Sequence, residues 1–157
     1  MFTINDYIIY STSGVCKVAD IVSEKNRDGD MIEYYVLNSI SENNTKIKIP
    51  TNTTLFMRPL INVDEATAIV NNNDLCSLWV ENERERHTYF TKLLKEGSFE
   101  IWMNIANSIH AKKLEKIKAS KKLNQSDERT LKTAEKLLTE ELSIILDKSP
   151  SEIILYK

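Results

Sequence analysis

The chain has 157 residues, with 21 basic and 23 acidic side chains and a formal net charge of -2. Hydrophobic residues make up 41% and charged ones 28%. That balance excludes a disordered chain, a strongly basic nucleic-acid coat and an acidic tail as descriptions of the whole molecule.

The first third reads as short strands. Asp6-Tyr7-Ile8-Ile9-Tyr10 is apolar and β-branched, Gly14 to Val22 continues with Val15, Val18 and Ile21, and Ile32 to Ile40 is a third run. Thr45-Lys46-Ile47-Lys48-Ile49-Pro50 alternates strictly, which predicts a strand with Ile47 and Ile49 on the buried face and Lys46 and Lys48 on the wet one. Leu55-Phe56-Met57 has the composition of a last short strand. Turn formers separate these runs: Ser11-Thr12-Ser13-Gly14, Arg27-Asp28-Gly29-Asp30 and Glu42-Asn43-Asn44, with Asp28-Gly29 a hairpin signal. Closely spaced short strands predict a small antiparallel barrel or rolled sheet.

From Asn62 the period becomes helical. Asn62-Val63-Asp64-Glu65 and Asn82-Glu83-Arg84-Glu85 both read as capped helix starts, ended respectively by Asn71-Asn72-Asn73 and by Gly97. Phe90, Leu93 and Leu94 share a face of the second helix. Ser98 is the expected cap of a third, with Ile101, Trp102, Ile105 and Ile109 on one stripe and Leu114 and Ile117 continuing it. Ser126 is the expected cap of a fourth, whose apolar positions are Leu131, Ala134, Leu137, Leu138, Leu142 and Ile145. Pro150 ends it or opens a short last turn. The expected fold class is therefore α+β, with an antiparallel β-barrel over 1–61 and a compact all-α domain over 62–157.

No catalytic constellation stands out. The two histidines, His87 and His110, lie in charged helical stretches and read as wet positions, although His110 has the chemistry to meet a phosphate. Glycine-rich phosphate loops, nucleophile elbows and paired metal-ligand spacings are missing from the sequence. Glu81, Glu83 and Glu85 alternate with Arg84 and Arg86 near a helix start, where acidic groups suit the macrodipole better than a metal. Cys16 and Cys76 lie far apart and read as small buried hydrophobes in a reducing cytosol. The expectation is a non-enzyme with no cofactor and no metal. No apolar run reaches the length of a membrane span, and Met1-Phe2-Thr3-Ile4-Asn5-Asp6 lacks the pattern of a signal peptide, so a cytoplasmic protein without membrane contact is expected.

Charge is locally uneven. Residues 110–122 hold six lysines and one glutamate, a local charge of +5. Such a patch attracts a polyanion by counterion release, and it is equally the composition of a solvated helix face beside a turn. Trp79, in a linker between helices, is either an apolar wedge for a DNA groove or a plug between the two halves; burial energy alone favours the plug. Lys46 and Lys48 beside Pro50 suit a strand that adds to another protein's sheet, and the same lysines protect an edge against aggregation.

Taken in order, Phe2-x3-Asp6-Tyr7-Ile8-Ile9-Tyr10 with Gly14-Val15, Glu33-Tyr34-Tyr35-Val36-Leu37, Lys46-Ile47-Lys48-Ile49-Pro50, Leu93-Leu94-Lys95-Glu96-Gly97 and Asp127-Glu128-Arg129 leading into Ala134-Glu135-Lys136-Leu137-Leu138 resemble the CarD/CdnL family of bacterial transcription regulators. The family shares its first domain with the transcription-repair coupling factor. The resemblance implies a Tudor-like, SH3-like barrel that binds the RNA polymerase β subunit. It also implies a helical domain that touches promoter DNA weakly and without sequence preference, the two together stabilising the open complex, including at ribosomal RNA promoters. For polymerase the resemblance matches Lys48 to a basic family contact and places a second near Glu24 and Lys25, and Lys46 joins them from the strand pattern. For DNA the candidates are Trp79, Arg84 and Arg86 near the family's wedge and, from the local charge, Lys112, Lys113, Lys116, Lys121 and Lys122. The family's spacing back from Gly97 lands on Glu83, with Trp79 upstream of it, so either Trp79 reaches the DNA from a rearranged loop or this chain lacks the wedge. The alternative reading is a polymerase-associated protein whose helical domain binds another protein. A monomer is expected, with dimerisation through the β edge as the other option, and a location on the nucleoid through polymerase.

Overall fold

A computed structural model describes residues 1–42, 44–52, 56–72 and 77–156. Asn43, Leu55, Asn73 and Cys76, which the sequence reading placed in turns, a strand, a helix end and a buried site, lie outside the described residues. The chain divides into two compact units, Met1–Leu60 and Ile61–Lys157.

The first unit is an antiparallel sheet of β1 (Tyr7–Tyr10), β2 (Gly14–Lys25), β3 (Met31–Ser39), β4 (Lys46–Pro50) and β5 (Met57–Pro59), hydrogen-bonded in the order β4-β3-β2-β1-β5. Among the described residues β4 and β5 are the two ends of the sheet and do not pair, so strand pairing does not close the barrel that the sequence led us to expect. Gly14 starts β2 at φ 72° and ψ -143°, a backbone region open essentially to glycine alone, and this lets the chain reverse from β1 through the short turn Ser11–Ser13. At the next reversal Asn26 organises the loop, its side-chain oxygen accepting the N–H groups of Asp28 and Asp30 at 2.9 Å each. One face of the sheet carries the core of Ile8, Cys16, Val18, Tyr35, Leu37 and Ile49, with Phe2, Tyr10, Ile21, Ile47 and Met57 packed against it. The alternation in β4 thus buries Ile49 and leaves Lys46 and Lys48 exposed, as its sequence requires.

The second unit holds α1 (Val63–Asn71), α2 (Glu83–Glu96), α3 (Phe99–Lys118) and α4 (Gln125–Leu146), then a short 3-10 turn at Pro150–Glu152. Asparagine dominates the caps. Asn62 accepts from the N–H of Asp64, Asn82 from Glu85 and Asn124 from Asp127, while Ser98 caps α3. The expected cap Ser126 is instead inside the first turn of α4, because Asn124 reaches the free N–H first. Trp102, Phe90, Met103, Ile105, Ile109 and Leu138 form the centre of the core, and the Trp102 Nε1–H donates to the Leu94 carbonyl at 3.0 Å. Leu114 and Ile117 depart from the expected stripe. They are 49% and 57% exposed, although α4 lies beside this stretch of α3, where Lys113 pairs with Glu128.

Candidate interaction surfaces

In the first unit the end strand β4 decides what can be presented. Thr51 N–H donates to the Glu33 carbonyl at 2.9 Å and Ser39 N–H to the Thr45 carbonyl at 3.3 Å. In the observed register Val36 faces Lys48 and Asn38 faces Lys46. Hydrogen-bonded pairs alternate along an antiparallel ladder, so the main-chain groups of Ile47 and Ile49 turn toward β3. Those of Lys46 and Lys48 turn to the open edge. Pro50 offers no N–H and terminates that edge.

The side chain of Lys48 lies over the sheet face. Its ammonium pairs with the Glu24 carboxylate from β2 and stands 5.1 Å from the centroid of the Tyr34 ring. Lys25, the neighbour of Glu24, is exposed at the end of β2 opposite Met31. Lys46 is exposed at the end of a transverse row, Tyr7–Lys17–Asn38–Lys46, formed by the strand registers. Lys17 stands 5.8 Å from the centroid of Tyr7. Sequence reading missed Lys17, Tyr7, Tyr34 and Asn38 as members of this face. The period-2 rule puts each on a face, but only the register across four strands shows that they line up.

In the second unit the structure brings several of the predicted residues to one end. Ser108 on α3 accepts the N–H of Leu78 at 2.8 Å and so fixes the segment before α2. Trp79 follows, half-buried, with the Arg86 guanidinium 4.0 Å and the Lys112 ammonium 5.5 Å from its ring centroid. Lys112 also pairs with Glu115 at 3.5 Å, and Lys113 with Glu128 of α4 at 3.2 Å. Lys116 is half-buried, and Lys121 and Lys122 are exposed beyond the end of α3. Arg84 is exposed and lines a shallow polar cleft with Asn82, Glu83, His87 and Ser126, where His87 Nδ1 lies 3.0 Å from Ser126 Oγ.

Arg86 corrects the expectation of a phosphate contact. It is 4% exposed and gives Asp127 two hydrogen bonds, at 2.9 and 2.7 Å, with further bonds to the carbonyls of Val80 and Glu81. Its role is to tie α2 to α4 and to hold the loop carrying Trp79. His110 also differs from the expected wet helix position. Its ring stacks on Tyr156 at 3.8 Å with 4° between planes, and the Tyr156 hydroxyl donates to Glu135 at 2.9 Å. Burial, reinforced by the Glu135 carboxylate, raises the tyrosine's pKa well above its ordinary value.

Among the described residues no cluster of three or more histidine, cysteine, aspartate or glutamate side chains could hold a metal, and no helix is long and apolar enough to cross a membrane. Comparison with curated proteins finds no match to the chain. Residues 2–61 match the family model of the CarD-like/TRCF RID domain, which spans the whole of the sheet unit and stops where the helices begin. Over its first unit the chain therefore matches the CarD-like/TRCF RID domain family, consistent with a CarD/CdnL-like protein.

Proposed function

We propose that this chain is a non-enzymatic transcription regulator of the cytoplasm. It binds the RNA polymerase β subunit through its first unit and presents the second to promoter DNA without reading a sequence. The observation that carries the reading is the match of residues 2–61 to a family of domains that interact with the polymerase β subunit. The edge of β4 supports it physically. Main-chain groups of Lys46 and Lys48 face outward, which suits the addition of a partner strand, and Lys46, Lys48 and Lys25 supply charge beside that edge.

The DNA half of the reading rests on Trp79, Arg84, Lys112, Lys113, Lys116, Lys121 and Lys122, with Arg86 as the buried support of the Trp79 loop. Two of these lysines, Lys112 and Lys113, are already paired with carboxylates, and the net charge of the chain is -2, so intrinsic DNA affinity is low. Tethering to polymerase raises the effective concentration of the second unit at the promoter and makes a weak contact sufficient to prolong the open complex, ribosomal RNA promoters included.

Capture of purified bacterial RNA polymerase by the full chain tests the docking, and failure of capture overturns it. Open-complex lifetime tests the DNA half. A chain that binds polymerase and leaves that lifetime unchanged has a second unit directed at another protein. The free protein is expected to bind duplex DNA weakly, with log affinity falling by about 0.9 per neutralised phosphate for each decade of salt. Tight, salt-insensitive binding to one sequence contradicts the reading.

A further inference from the structure

The last two turns of α3 carry an exposed aliphatic pair that neither the sheet edge nor the proposed DNA contact uses. Ile109 is fully buried, yet Leu114 and Ile117, the next large aliphatics on the helix, are 49% and 57% exposed. Lys112 and Lys116 lie on the side of the helix that faces Trp79. At 3.6 residues per turn, Leu114 and Ile117 sit roughly 150° further round, with Lys118 beside them. Lys112 and Lys113 have carboxylate partners. Lys118, beside Leu114 on the helix, and Lys121 and Lys122, just past its end, have none among the described residues, so the positive charge next to the two aliphatic side chains is not locally neutralised.

We propose that this end of α3 docks an acidic protein segment that carries aliphatic side chains about one helical turn apart. The lysines set the charge of the partner. The aliphatics set its class, because burying Leu114 and Ile117 gains nothing against a phosphate backbone, whereas apolar side chains of a protein partner remove that surface from water. A lipid surface fits less well, since two aliphatics offer too little apolar area to anchor a helix in an interface. The proposal is independent of the polymerase reading of the first unit, so either stands if the other fails.

The test uses the full chain and a fluorescent helical peptide with leucines spaced at three and four residues and glutamates elsewhere. Binding is expected, weakened about tenfold or more by the double variant Leu114→Ser/Ile117→Ser and comparably by Lys118→Gln/Lys121→Gln, with helicity checked by circular dichroism. A peptide of equal charge with serines in place of the leucines is expected to bind about tenfold more weakly. Lack of binding to the leucine peptide overturns the proposal, as does equal binding of the two peptides or insensitivity to the Leu114/Ile117 double variant. It is equally overturned if that double variant impairs binding to duplex DNA or anionic vesicles more than to the peptide, or if it abolishes self-association seen by sedimentation. Those results would assign the face to DNA, to lipid or to a second copy of the chain.

Discussion

Arg86 spends its donors on Asp127 and on the carbonyls of Val80 and Glu81, and its flat face on the ring of Trp79. Both members of the ion pair are about 4% exposed, so neither has water to fall back on when the other is lost. Asp127→Ala therefore leaves a buried guanidinium unpaired, and urea denaturation is expected to show a loss of about 3–5 kcal/mol. Arg84→Ala, two residues away on the exposed side of the helix, is expected to change stability by less than about 0.5 kcal/mol. A small effect of the first variant would contradict the buried-clamp role. Tyr156 gives a pH signature. Its folded pKa lies above the unfolded value of about 10, so the unfolded chain releases the proton first as pH rises. The associated stability is complete below about pH 10 and is lost above it. Tyr156→Phe should flatten that part of the alkaline loss, and an unchanged urea midpoint profile between wild type and variant would refute the assignment.

At the scale of elements, ends were harder to read than bodies. Asn62, Asn82, Ser98 and Gly97 were legible because a cap is a local bargain between one side chain and the nearest unpaired N–H or carbonyl. Ser126 was not, since two adjacent candidates, Asn124 and Ser126, compete for one turn. The end of α3 shows the same limit. Ser120 adopts φ 56°, and Lys121 N–H donates to the Lys116 carbonyl at 2.7 Å while Ser120 N–H donates to Ile117, a helix-ending motif that usually takes glycine. A serine held in the left-handed region costs energy that glycine does not, so Ser120→Gly is expected to stabilise the second unit by about 0.5–1 kcal/mol in urea titrations. Destabilisation by that substitution would show that the Ser120 side chain is needed. Among the strands, Tyr7–Tyr10 through Lys46–Pro50 were readable from alternation, but the open order β4-β3-β2-β1-β5 was not, because periodicity says which face a residue occupies and nothing about which strands pair. The same gap hid Lys17 and Asn38, whose place in a row with Lys46 depends on the register of three other strands.

For the whole molecule, the chain divides into two units, Met1–Leu60 and Ile61–Lys157. The sheet unit alone carries the match to the CarD-like/TRCF RID domain. The candidate surfaces divide accordingly: an open β edge with Lys46 and Lys48 on the first unit, a tryptophan between two cations on the second. Burial separates the cationic candidates. Lys48 stays accessible despite its pairing with Glu24, whereas Arg86, equally cationic in the sequence, is enclosed. The pair at Lys48 is exposed and worth little to stability, so Lys48→Glu should leave the fold intact while placing like charges beside Glu24 at the proposed docking edge. The most direct measurement is the affinity of purified RNA polymerase for the wild-type chain and for Lys48→Glu, side by side, with circular dichroism confirming that both are folded. The account predicts wild-type binding and a loss of about tenfold or more in the variant, equivalent to about 1.4 kcal/mol. Equal affinities of the two chains would contradict the assignment of β4, and absence of wild-type binding would contradict the proposed function itself.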